Sequence, residues 1–88
     1  MSLQVSDERK HLQEAERHIA ERRGLIGTQK RRIEDLQRDG HNAAGSIALL
    51  RELEASLRSM IEDREMIIRK LKRREHKYGA QTIAPPRR

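Results

Sequence analysis

Val5, Leu12, Ile19, Ile26 and Ile33 recur every seven residues. The series stops at Asp39-Gly40-His41-Asn42, and a second apolar series then runs through Leu50, Leu53, Leu57, Met60, Ile67 and Leu71. A seven-residue recurrence keeps one stripe of an α-helix facing a single direction, so each series marks a helix with one apolar seam. Two such series around one break predict an all-α fold, an antiparallel, coiled-coil-like two-helix hairpin. The break is too short for the helices to be anything but antiparallel neighbours.

Local signals place the ends. The Ser6 hydroxyl is suited to accept a hydrogen bond from an unpaired backbone N–H, and Asp7 and Glu8 then sit at the positive end of the helix dipole. This predicts a first helix over about residues 7–39. Gly40 is the expected stop, because glycine enters the left-handed region that closes a helix without a Cβ penalty. The turn occupies 40–42. Asn42, with Ser46 as the alternative, is the expected cap of a second helix over about 43–77. Gly79 is read as its end, which makes residues 1–79 the hairpin domain. Residues 80–88 lack periodicity and read as a disordered basic tail.

With Leu12, Ile19, Ile26 and Ile33 at heptad position a, the d positions of the first helix are Ala15, Arg22, Gln29 and Leu36. The second helix has Leu50, Leu57 and Leu71 at a, Leu53, Met60 and Ile67 at d, and Ile47, Ile61 and Ile68 at e. Its stripe is the wider one. Folding about Gly40 sets Ile33 near Leu50, Ile26 near Leu57, Ile19 near Arg64 and Leu12 near Leu71. A narrow stripe covers only one side of a wide one, which leaves Ile47, Ile61, Ile68 and Leu49 partly wet. Contiguous exposed apolar surface marks a partner, and the simplest partner is a second copy in a four-helix bundle. The same residues therefore form the expected hairpin and oligomer interface: Leu12, Ile19, Ile26, Ile33, Leu36, Leu50, Leu53, Leu57, Met60, Ile61, Ile67, Ile68 and Leu71.

Three polar residues interrupt the seam, Arg22 and Gln29 in the first helix and Arg64 in the second. Two readings stand. Their stems lie across the apolar surface with the heads exposed or paired to Glu62, Glu16 or Glu65, or they set register and oligomeric state as polar core residues do in coiled coils. Both are structural.

Composition narrows the function. The 88 residues are 39% charged and 34% hydrophobic, with no Cys and a single aromatic, Tyr78. That is little material for a globular core, while an elongated helical pair needs less. No stretch approaches the ~20 apolar residues of a membrane span, and the first residues lack the basic start and apolar run of a signal peptide, so a cytoplasmic protein is expected. His11 and His18, with Glu8 and Glu14 nearby, look like half of a carboxylate-bridged metal site. The second helix offers no matching half, and surface histidines are expected. His41 belongs to the turn. Gly24-Leu25-Ile26-Gly27 lies inside a helical pattern without the lysine and preceding strand of a phosphate loop. No nucleophile and base converge on a cleft, so no enzyme, cofactor, metal or small-molecule substrate is expected.

The charge is unevenly placed. Residues 1–68 carry twelve Lys and Arg against thirteen Asp and Glu, a net of −1, whereas residues 69–88 carry eight against Glu75 alone, a net of +7. A neutral body with a basic end makes Arg69, Lys70, Lys72, Arg73, Arg74 and Lys77 the candidate polyanion contacts. Cations also suit a helix C-terminus for purely structural reasons. The absence of interleaved aromatics and of helix-turn-helix spacing speaks against sequence readout.

Ala15-Glu16-Arg17-His18-Ile19-Ala20-Glu21, Gln29, Leu36, Asp39-Gly40-His41, Leu49-Leu50 and Ser56-Leu57 together resemble a group of short uncharacterised helical proteins common in alphaproteobacteria. The resemblance spans about residues 12–71, and Gly24 and Gly27 depart from it. It implies the hairpin and a bacterial cytoplasm, and it carries no activity. The expected function is a small structural or interaction module that self-associates or docks on another helical protein. The alternative is a weak, sequence-independent nucleic-acid-associated protein using its basic C-terminal end.

Overall fold

The break at Gly40 is a closed hydrogen-bonded turn. In the computed structural model, which describes residues 2–83 and the side chains of residues 7–74, Gly40 has φ +76°. The His41 N–H donates to the Leu36 carbonyl at 2.8 Å and the Gly40 N–H to the Gln37 carbonyl at 3.1 Å. This is the Schellman arrangement, in which a left-handed residue lets two N–H groups fold back onto carbonyls that the helix would otherwise leave unpaired. Asn42 then starts the return. Its side-chain oxygen accepts the Ala44 N–H at 2.9 Å, and the Ala43 carbonyl accepts the Ile47 N–H at 2.8 Å. Asn42 is therefore the cap, as its chemistry predicts, while Ser46 lies inside the helix.

Two helices follow from this turn, α1 (Ser2–Arg38) and α2 (Ala44–Ile83). Both overrun the expected ends. α1 passes through Ser6, which is not its cap, because nothing between Ser2 and Ser6 breaks a helix. An interior serine costs only a few tenths of a kcal/mol, and extending a formed helix is cheaper than stopping it. α2 does not end at residue 77, and Gly79 does not stop it. One interior glycine costs about 1 kcal/mol relative to alanine, which elongation tolerates. The helix is continuous through Ile83, the last described residue. Residues 80–83 of the expected tail are thus helical, and residues 84–88 lie outside the described residues.

The helices lie side by side in antiparallel order with one shared seam. Ile19, Ile26 and Ile33, all at a of α1, are buried, and so are Leu71 of α2 and Ala43 at the turn. No described side chain falls below 2% exposure, so this is a line of contact rather than an enclosed core. The dimensions agree: the Cα trace extends 71 × 26 × 14 Å, with a radius of gyration of 20.5 Å. A globular chain of this length would have about 12 Å. The thinnest dimension admits a single layer of helices, which leaves both broad faces open.

Register follows from the turn outward. Near the turn the Gln29 side chain reaches the Ser46 carbonyl; midway Met60 shares a hollow with Arg22 and Leu25; at the open end Leu12 and Leu71 floor a common groove. The last relation is the pairing that counting from Gly40 predicts. Because Gly40, alone among the described residues, occupies the left-handed region, Gly40→Ala should cost about 1 kcal/mol. Thermal melts followed by circular dichroism should show a lower midpoint with the starting helicity kept.

Candidate interaction surfaces

The seam's polar residues do not behave alike. Gln29 is 8% exposed, and its Nε2 donates to the Ser46 carbonyl at 2.8 Å. The expectation of an exposed head fails here because d of α1 lies against the first turn of α2, where the helix carbonyl offers a partner. The other two keep access to water. Arg22 is half-buried and lines a hollow of about 270 Å³ with His18, Glu21, Leu25 and Met60. Arg64 is half-buried and bonds Glu65 at 2.9 Å through Nη2, one of the pairings expected for it. Its Nε is enclosed without a hydrogen-bond partner.

The apolar flank of α2 is the first candidate surface. Leu50, Leu53, Leu57, Met60, Ile61, Ile67 and Ile68 are all half-buried, as are Leu12 and Leu36 of α1. Ile47 is half-buried too, and Leu49 is 46% exposed. The stripe of α2 is therefore wider than α1 can cover. Leu25 and Met66, each 53% exposed, are further exposed apolar residues and stand outside the a, d and e series that would have flagged them. α1 runs unbroken through Gly24 and Gly27, and a Cβ at either would meet nothing within 4 Å. Packing within the hairpin does not require these glycines.

The basic open end is the second. Arg69, Lys70, Lys72 and Arg73 are exposed. Arg74 departs from the expected polyanion set, because its guanidinium lies 3.5 Å from the Glu8 carboxylate of α1, and Glu8 is only 15% exposed. The side chain of Lys77 is outside the described residues. Spacing along α1 relates Glu8 to His11, whereas the antiparallel count that sets it opposite this part of α2 is the signal for its pair with Arg74. Arg9 also joins this end: with Lys72, Gln13 and Glu16 it rims a groove of about 400 Å³ floored by Leu12, Ile68 and Leu71.

The remaining polar surface is ordinary. Arg17–Glu21 and Arg38–Asp35 are exposed pairs within a helix at 3.5 and 2.7 Å, contributing a few tenths of a kcal/mol each. His11, His18 and His41 are exposed. Among the described residues no three His, Asp or Glu side chains gather as metal ligands, and no helix is long and apolar enough to cross a membrane. Comparison with protein-family models, curated proteins and solved structures finds no match.

Two predictions follow from the seam and the glycines. Arg64→Met keeps the stem and removes the unpaired enclosed N–H, so it should raise stability by about 1 kcal/mol, read as a higher urea midpoint at unchanged slope. A lower midpoint would mean that the guanidinium contributes more than its geometry shows. Gly24→Ala with Gly27→Ala should add about 1 kcal/mol per site to the helix, since the new methyl groups enter open space. A higher melting temperature with self-association unchanged is the expected result. Lost association would reveal a helix packed on that strip.

Proposed function

We propose that this chain is a protein-interaction module, a helical hairpin that pairs with a second copy to form a four-helix bundle and acts through association rather than catalysis. One observation carries the reading: Ile47, Ile61 and Ile68, all at e, remain partly exposed along a flank of α2 that α1 covers only in part. A thin hairpin has no third element to cover that flank. Large apolar side chains contribute about 1.5–3 kcal/mol each when fully removed from water, so two partly exposed stripes gain by meeting. Two-fold symmetry suits the need, because a single surface then supplies both halves of the interface. The cysteine-free composition suits a reducing cytoplasm, and a helical protein with a matching apolar stripe would be an equivalent partner.

Light scattering at tens of micromolar should report twice the mass of one chain. Ile61→Glu with Ile68→Glu should give the single-chain mass, because each copy would bring charge into the apolar contact. The helical circular dichroism of the hairpin should largely persist, since neither residue belongs to the buried isoleucine row. A native chain that stays at single mass across this concentration range would overturn the reading.

A further inference from the structure

The apolar flank of α2 carries charges in an order that apolar contact alone does not require. Ile47, Arg51, Glu54, Arg58, Ile61, Glu65 and Ile68 follow one another by alternate steps of four and three residues, so each neighbours the next and together they form one ridge along the helix. The charges of this ridge alternate in sign and cancel. Arg51 and Arg58 are exposed, while Glu54 and Glu65 are half-buried among the isoleucines. Among the described residues, Arg51, Glu54 and Arg58 have no ion-pair partner within the hairpin. Glu65 holds Arg64 through Oε2, and a carboxylate has a second oxygen to offer. At the open end of the ridge, Ile68 joins Leu12 and Leu71 on the floor of the groove of about 400 Å³.

We propose, building on the self-association proposed above, that this ridge packs antiparallel against the same ridge of a second copy, about a two-fold axis at Arg58. Reversing the ridge on itself there sets Ile47 on the partner's Ile68 and Arg51 on the partner's Glu65, and the symmetry makes each contact twice. Ile47 then covers the groove at the partner's open end. The two Arg58 side chains meet at the axis, but Glu54 of each copy stands only about 4.5 Å along the helix from the other's Arg58, so the four charges neutralise one another. Other alignments are poorer. A slide of one heptad sets Glu54 on the partner's Glu54 and Arg51 on the partner's Arg58; a slide the other way sets Arg51 on the partner's Lys72. A parallel pairing places every charge on its like. The same side of α1 is no substitute, because it carries Glu16, Arg23 and Lys30, all exposed, and no large apolar residue to cover Ile61 or Ile68. α1 therefore flanks the contact rather than making it.

Sedimentation equilibrium of the full chain tests the pairing through charge reversal. Arg51→Glu and Glu65→Arg, each alone, should weaken the dimer about tenfold, since each turns two attractions into two repulsions. Both changes in one chain should recover most of that loss. The two residues stand roughly 20 Å apart along α2, so such a rescue arises between copies and not within one. Circular dichroism should show equal helicity throughout. A second measurement leaves these charges in place: the chain has no native cysteine, so Ala55→Cys or Ala48→Cys, both at exposed positions, takes one nitroxide per copy. Electron–electron double resonance should find the Ala48 pair distinctly farther apart, about 30 Å along the helix against about 8 Å for Ala55. Single variants as tight as the native chain, no rescue in the double variant, or equal distances at the two sites, in a chain of twice the single mass, would overturn this pairing and leave self-association standing. A chain that stays at single mass would overturn both.

Discussion

A two-helix molecule has one line along which its parts can exclude water, and here that line is the row of Ile19, Ile26 and Ile33. Each isoleucine arises one heptad after the last, so the row stays aligned over most of α1 and meets α2 along its length. Beyond that row only Gln29, Ala43 and Leu71 are buried among the described residues. The residues of α2 that face it are mostly half-covered, because one helix surface shields only part of a stripe that spans positions a, d and e. Thinness, elongation and exposed flanks all follow from having a seam in place of a core. They also explain how a chain of 39% charged residues folds at all, since every position off the seam is free to be polar.

The same geometry sorts the charge. Over the neutral body, acids and bases alternate and pair within one helix, as Arg17 does with Glu21 and Arg38 with Asp35. At the open end the balance fails, because the last part of α2 carries cations in nearly every direction while only the start of α1 lies alongside. Glu8 takes up Arg74. The apolar flank and the basic end adjoin at Ile68, which belongs to the flank and to the floor of the open-end groove.

How much of this was legible depends on whether a feature is local. Gly40 and Asn42 act through their own backbone and side chain, and their chemistry gives the turn directly. The isoleucine row is legible because its period is the helix period. Ser6 and Gly79 mislead for the opposite reason: each expresses a preference worth at most about 1 kcal/mol, and a helix already propagating overrides it. Glu8–Arg74 and the Arg9–Lys72 groove belong to tertiary register. A reading that gathers Arg69 to Lys77 into one cluster passes over the helix facing it. The burial of Gln29 was the least legible, since it depends on how deep the seam runs beside the first turn of α2.

Gln29 also answers a difficulty that the isoleucine row creates. A stripe repeating every seven residues is nearly unchanged by sliding one helix seven residues along the other, so apolar contact alone discriminates poorly between registers. The closed turn at Gly40 opposes such a slide, because the Leu36 to His41 and Gln37 to Gly40 bonds leave no slack to absorb it. Gln29 opposes it again. Displaced by a heptad, its amide would lose the Ser46 carbonyl while remaining in the seam, and an enclosed amide without a partner costs more than the bond contributes when made. At the open end the slide would also part Glu8 from Arg74, where the partly buried carboxylate adds its own penalty. The isoleucines supply the attraction between the helices, and the polar groups set beside them decide where along each other the helices come to rest.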